Sequence, residues 1–172
     1  MRDSLFFKQA DLRVQVMPFV NAEACFALKG GTAINFFVRD FPRLSVDIDL
    51  VYLPVEDRPT TLRGIDAALQ RIAAKIRRAT PGVQVREQKL ASENLLLKLT
   101  VRASGGAEVK IEPNTVLRGS LHPTTDRTLT PKAVKEFGRS ATMRVVSLPD
   151  LYGGKLCAAL DRQHPRDLFD VH

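Results

Sequence analysis

Two aspartates separated by one apolar residue, Asp47-Ile48-Asp49, are the residues of this chain best suited to chemistry. They fall in residues 45–53, a run that reads as a strand ending at Pro54. Side chains alternate faces along a strand, so both carboxylates point one way and Ile48, Leu50 and Tyr52 the other. Two carboxylates side by side repel unless a cation stands between them, and the usual cation is a divalent metal. An EF-hand fragment is excluded, because Leu50, Val51 and Tyr52 supply neither further ligands nor the required glycine. Two surface acids on an edge strand are the plainer alternative. Against it, the flanking Val46, Ile48, Leu50 and Val51 are core residue types, and buried acids are costly without a cation. Glu112, in a similar apolar setting further on, is a candidate third ligand.

Upstream, Gly30-Gly31-Thr32 follows a short apolar strand and opens a helix. Backbone N–H groups at such a helix start can face an anion, and Thr32 can add a hydroxyl. The pattern is not a Walker motif, since Lys29 precedes the glycines, nor is it GxGxxG. A simple turn is the alternative. Gly153-Gly154-Lys155 superficially resembles the end of a P-loop, but Pro149 occupies the place of its first glycine.

Other elements must position these groups. Residues 26–28 read as the strand before the glycines and 32–38 as the helix after them, with short helices at 3–12 and 18–25 in front. The clearest helix is 61–79, where Leu62, Ile65, Leu69, Ile72 and Ile76 recur at steps of three and four. Pro59-Thr60-Thr61 starts it and Pro81-Gly82 stops it. Its Arg63, Arg71, Lys75, Arg77 and Arg78 read as a solvated face in preference to an RNA track. Residues 83–87, 95–102 and 107–113 read as strands, the last two joined by a Ser104-Gly105-Gly106 turn. On the second arm Glu108, Lys110 and Glu112 share the face opposite Val109 and Ile111. Residues 119–140, with Pro123 and Pro131, read as a long loop, and 142–146 as a short strand. Ser147 and Asp150 have capping-box spacing before a helix carrying Leu151, Leu156 and Leu160, and Pro165 opens a last segment. Helices mixed with strand pairs close in sequence give an α+β (mixed α/β) class with one mixed sheet.

The totals bound the partners. A chain of 172 residues, 44% hydrophobic, holds one core of ordinary size. Its net charge of +7 favours an anionic partner such as nucleic acid or nucleotide phosphates. No apolar run approaches the roughly 18–20 residues of a membrane span, and MRDSLFFKQADLR is not a signal peptide. Cys25 and Cys157 read as buried free thiols in a reducing cytoplasm. His122, His164 and His172 lack metal-ligand spacing, which argues against a zinc site.

KGGTAINFFVRDFPRLSVDIDL resembles the signature of the AbiEii/AbiGii-type nucleotidyltransferase toxins, within the DNA polymerase beta-like nucleotidyltransferase superfamily. In that pattern a glycine turn and helix precede an SxDxD-type strand, here Ser45, Asp47 and Asp49. A third acid follows on a later strand, here Glu112, with Glu108 the rival. Next comes a helical lysine, Lys155 in GGKLCAALDR, then Arg166, Asp167 and Asp170. The resemblance implies a nucleotidyltransferase fold, a central mixed sheet flanked by helices. Residues 1–146 would be the catalytic core and 147–172 the start of a C-terminal helical region, cut short.

It implies that Asp47, Asp49 and Glu112 hold Mg2+ (or Mn2+), and that Gly30, Gly31, Thr32 and Ser45 bind the nucleotide. Lys155 would contact phosphate, and Asp167 would act near the acceptor or orient Lys155. The implied activity moves a nucleoside monophosphate from an NTP to an acceptor, RNA or tRNA being favoured over protein by the charge. The implied setting is the cytoplasmic toxin of a bacterial toxin–antitoxin or abortive-infection pair, with a cognate antitoxin. A nucleotide- or RNA-binding module of the same fold without turnover is the alternative. Without the resemblance, Lys155 reads as a surface lysine and Asp167 as a first-turn acid stabilised by the helix dipole.

Overall fold

Ile48 and Leu50, which alternate with the two aspartates, are fully buried, and the fold is layered around them. The structure, a computed structural model, describes residues 4–45 and 47–172, leaving the Arg162 side chain aside. The first residue of the helix expected at 3–12 and Val46 in the expected strand lie outside the described residues. β2 (Asp47–Tyr52) pairs antiparallel with β1 (Phe26–Lys29) and parallel with β5 (Glu108–Arg118). Beyond β5 come β4 (Leu95–Ala103) and β3 (Val83–Leu90), both antiparallel steps. Beyond β1 come β7 (Thr142–Val145) in parallel and β6 (Thr125–Thr128) at the edge. The sheet order is therefore β3-β4-β5-β2-β1-β7-β6.

One face of this sheet is apolar and carries α1 (Leu5–Asn21) and α3 (Arg58–Ala79). Leu99, Val101, Val109 and Ile111 share the core with the α3 stripe of Ile65, Leu69, Ile72 and Ile76. Asp57 caps α3 by accepting from the Thr60 N–H at 2.7 Å, and Pro59 stands in its first turn. The basic groups of α3 are largely engaged. Arg71 and Lys75 pair with the buried Glu23, and Arg77 pairs with Glu87 on β3. The helix charges thus tie the layer to its neighbours, as a structural face does.

Three expectations are corrected. Residues 3–12 and 18–25 are not two helices: one helix runs from Leu5 to Asn21 with Pro18 inside it. Its buried side, Ala10, Val14, Met17 and Val20, is continuous across the proline, and Pro18 sits exposed in the last turn. Residues 119–140 are not a loop throughout, since they hold β6 and α4 (Pro131–Phe137). Pro131 at the helix start and Gly138 in the left-handed conformation at its end are a start and stop signal that polarity masked. Cys157 is exposed on α5 (Leu148–Arg162), and only Cys25 is partly buried. Among the described residues no helix is long and apolar enough to cross a membrane.

Gly64 brings α3 onto β2. A Cβ there would stand 2.1 Å from the Tyr52 hydroxyl. In an open helix Gly→Ala adds up to about 1 kcal/mol of stability. Here Gly64→Ala is expected to lower it by about 1–3 kcal/mol through overpacking, read as a reduced midpoint in urea unfolding. A raised midpoint would mean that α3 does not lie against Tyr52.

Candidate active site

Sheet register gathers the acids. On the polar face Asp47 lies opposite Lys110 of β5, and Asp49 lies opposite Glu112 of β5 and Lys29 of β1. Burial, then the charges of Asp47 and Glu112, push the Asp49 carboxyl up to about 6. Burial and Glu112 raise Asp47 too, against Lys110, Arg13 and Lys98. Glu112 is turned toward Lys98 of β4, with which it makes an ion pair. Lys155 likewise pairs with Asp167 and Asp170. No ion pair of the described residues reaches Asp47 or Asp49. Nor do three acidic, histidine or cysteine side chains among them form a ready cation cage.

The glycines make room for these carboxylates. Gly30 has φ +70°, and a Cβ on it would stand 2.6 Å from Asp49 Oδ2. A Cβ on Gly31 would meet Arg43 Nη2 at 3.0 Å and Ser45 Oγ at 3.1 Å. The pair starts α2 (Gly30–Ala33), which runs into a π-helical segment, Ile34–Val38. Thr32 is fully buried. Its hydroxyl donates to the Asp47 carbonyl at 2.5 Å and lies 3.0 Å from the Ser45 hydroxyl, so it staples α2 to the head of β2.

The last two helices close the other side. Ser147 caps α5 by accepting from the Asp150 N–H at 3.2 Å. The Asp150 carboxylate takes Ser120 and His122, so only half of the expected box forms. α6 (Pro165–Val171) is capped by His164, whose Nδ1 accepts from the Arg166 N–H. Lys155 Nζ donates to Asp167 Oδ1 at 2.6 Å and stands 3.0 Å from Asp170 Oδ2. Asp170, fully buried, also accepts from Asn35 at 2.9 Å and from Arg43 Nε at 2.8 Å, with Arg43 Nη2 on its second oxygen. Burial alone would raise the Asp170 carboxyl. The bonds from Arg43, Asn35 and Lys155 outweigh it and hold the group below the usual range.

The result is one cleft of about 330 Å³. Of the residues expected from the sequence it brings together Gly31, Ser45, Asp47, Asp49, Glu112, Lys155 and Asp167. Gly30 and Thr32 lie behind its wall. Sequence reasoning missed Arg43 and His164 as lining residues and Asn35 as support, and gave Arg166 a place in the motif but no role. Arg43 stood in plain view between the glycine-led helix and the acidic strand. It missed Arg13 altogether, a fully buried α1 guanidinium 5.3 Å from the Phe36 ring centroid, none of whose nitrogens finds a hydrogen-bond partner. Burial pushes Arg13 down to about 9, against the pull of Asp47 and Asp49.

The two acids carry opposite pH signatures. Folded Asp49 holds its proton more tightly than the unfolded chain, so its contribution makes stability fall as pH rises from about 4 to about 6. Asp49→Asn is expected to be more stable than wild type at pH 7.5, on the order of 1–3 kcal/mol, with the gap closing near pH 4. Asp170 is depressed, so its contribution is lost as pH falls. Asp170→Asn is expected to cost about 3–5 kcal/mol at pH 7.5. Thermal unfolding of both variants across pH checks the pair, and parallel curves would contradict the assignment.

Comparisons with known proteins agree with this geometry. The family model described as "Nucleotidyl transferase AbiEii toxin, Type IV TA system" matches residues 14–172. A comparison with curated proteins found no match. Among solved structures, MenT4, a nucleotidyltransferase toxin from Mycobacterium tuberculosis H37Rv, superposes with a TM-score of 0.66 at 18% identity. It is matched over 96% of this chain and 57% of its own. A protein from H. pylori described as a candidate nucleotidyltransferase gives a TM-score of 0.57 at 18% identity, over 95% of this chain and 66% of its own. At such identity these neighbours show the nucleotidyltransferase fold, and the chain spans less than two thirds of their length. With the family model covering nearly all of it, the chain belongs to the AbiEii nucleotidyltransferase toxin family.

Proposed function

We propose that this chain transfers a nucleoside monophosphate from an NTP to an acceptor, with Asp47 and Asp49 holding a divalent cation, Mg2+ or Mn2+. One observation carries the reading. The two aspartates face the cleft without a direct counter-ion among the described residues, while Lys98 and Lys155 are committed to other acids. Hard carboxylate oxygens with raised proton affinity and no partner are a donor set that fits such an ion. When bound, the ion would neutralise charge on the phosphates and on the departing pyrophosphate. Glu112 would join the set if it exchanged Lys98 for the ion.

The chain's own groups do the positioning. Lys155 lines the cleft beside the acids, its amine oriented by Asp167 and Asp170, and it is the cation placed to meet a phosphate. Arg43 and the backbone at Gly31 line the same side. Ser45 offers a hydroxyl there, whereas the Thr32 hydroxyl is already used and its part is support. Asp167 fixes Lys155. In this reading the chain is the toxin of a toxin–antitoxin or phage-defence pair, its partner is a cognate antitoxin, and its setting is the cytoplasm. RNA, such as a tRNA end, is the favoured acceptor.

The test is transfer of label from each α-labelled NTP to total RNA and to cellular protein, with and without Mg2+ or Mn2+. Metal-dependent transfer is expected, falling about 10²–10³-fold or more in Asp49→Ala and in Lys155→Ala. Saturable NTP binding without any transfer would favour the binding module instead. Transfer that survives Asp49→Ala would remove the carboxylates from the mechanism.

A further inference from the structure

The polar face of β5, β4 and β3 continues outward from the carboxylates, while the main helix contacts of these strands, with α1 and α3, are on the apolar face. Register lays its side chains out in rows. Asp47, Lys110, Thr100 and Arg86 form one, and Glu108, Arg102 and Gln84 the next. Arg86 and Arg102 are exposed and Lys110 is half-buried. The ion pairs of the described residues use none of the three. On α3, Arg71, Lys75 and Arg77 are spent on Glu23 and Glu87, whereas Arg86, Arg102 and Lys110 enter no ion pair of the described residues, although Glu108 lies opposite Arg102 in register.

In-line displacement at phosphorus requires the attacking hydroxyl and the departing pyrophosphate to lie on opposite sides of the transferred group. Lys155, Arg43 and Gly31 put the phosphate-holding groups on the side of α2, α5 and α6. The acceptor then has to arrive from the β5 side, over Lys110 and Glu112. Three strand spacings separate β2 from β3, about 14 Å. That distance is within the reach of a short single-stranded segment, which can lay its phosphates along the three cations.

We propose that the open face of β5, β4 and β3, through Lys110, Arg102 and Arg86, is the track along which a single-stranded nucleic-acid acceptor reaches Asp47 and Asp49. This rests on the transferase reading above. Recognition is by backbone phosphate, so it is tolerant of sequence and sensitive to salt.

The experiment measures binding of a fluorescent single-stranded oligoribonucleotide of about twelve nucleotides over a salt series. It compares wild type, Arg86→Gln/Arg102→Gln, and the control Arg63→Gln/Arg78→Gln on α3, with NTP binding followed separately. The β-face double variant is expected to bind on the order of tenfold more weakly at low salt. The slope of log K against log salt should shrink by about 1.4, two contacts at about 0.7 each. The α3 variant should match wild type, and NTP binding should hold in all three. Equal losses in both double variants, or none in either, would overturn the track. So would label transfer to protein from a wild type that ignores the oligonucleotide, which leaves the transferase reading intact. Failure of wild type to bind NTP would sink the transferase reading while the oligonucleotide arm still reports on the face.

Discussion

Everything in this domain answers to one electrostatic constraint. Asp47 and Asp49 sit one residue apart on a half-buried strand face with Glu112 on the adjoining strand. Three like charges so close favour protonation of at least one, and Asp49, the most enclosed, is the one raised to about 6. Positive groups surround them without closing on them. Lys110 and Lys29 stand across the neighbouring strands, Arg13 lies in the core, and Lys155 is above. The fold thus spreads compensating charge around the pair and leaves direct coordination open. A tight salt bridge to either aspartate would have stabilised the resting protein and filled the place of a cation.

The second organising contact is the knot at Asp170. One buried carboxylate gathers Arg43 from the loop before β2, Asn35 from the π-helical segment and Lys155 from α5. Four chain segments meet at a single side chain, so the glycine turn, the acidic strand and Lys155 are placed relative to one another by the same group. Arg39 adds a bond to the Phe169 carbonyl and stacks over that ring, which fixes α6 from its outer side. Removing such a charge leaves its partners buried and unmatched, the condition under which one substitution has its largest effect.

Much of this was legible in the sequence because the decisive signals are local. Alternation around Asp47 and Asp49, the stripe of α3 and the Ser104-Gly106 turn each span a short stretch of chain, and each formed as expected. What failed depended on tertiary contacts or on signals that polarity hid. Pro18 reads as a break until the helix is seen to bury the same face on both sides of it. The buried state of Arg13 has no local mark, since an arginine among Leu12, Val14 and Val16 looks like the polar stripe of any surface helix. The role of Asp170 was likewise invisible, because Asn35 and Arg43 are 135 and 127 residues away. Glu112 could be placed beside Asp49 by strand pattern, but its turn toward Lys98 could not.

Those separations carry a consequence for how the protein is made. A chain emerging from the ribosome N-terminus first presents the glycine turn and the acidic strand long before residue 170 leaves the exit tunnel. Until then Arg43 and Asn35 lack their carboxylate, and Lys155 lacks both groups that hold its amine. The cleft is therefore completed only once Asp170 has emerged, after the sheet is already available to fold. That order keeps the cleft unassembled in any nascent chain whose Asp170 has not yet emerged.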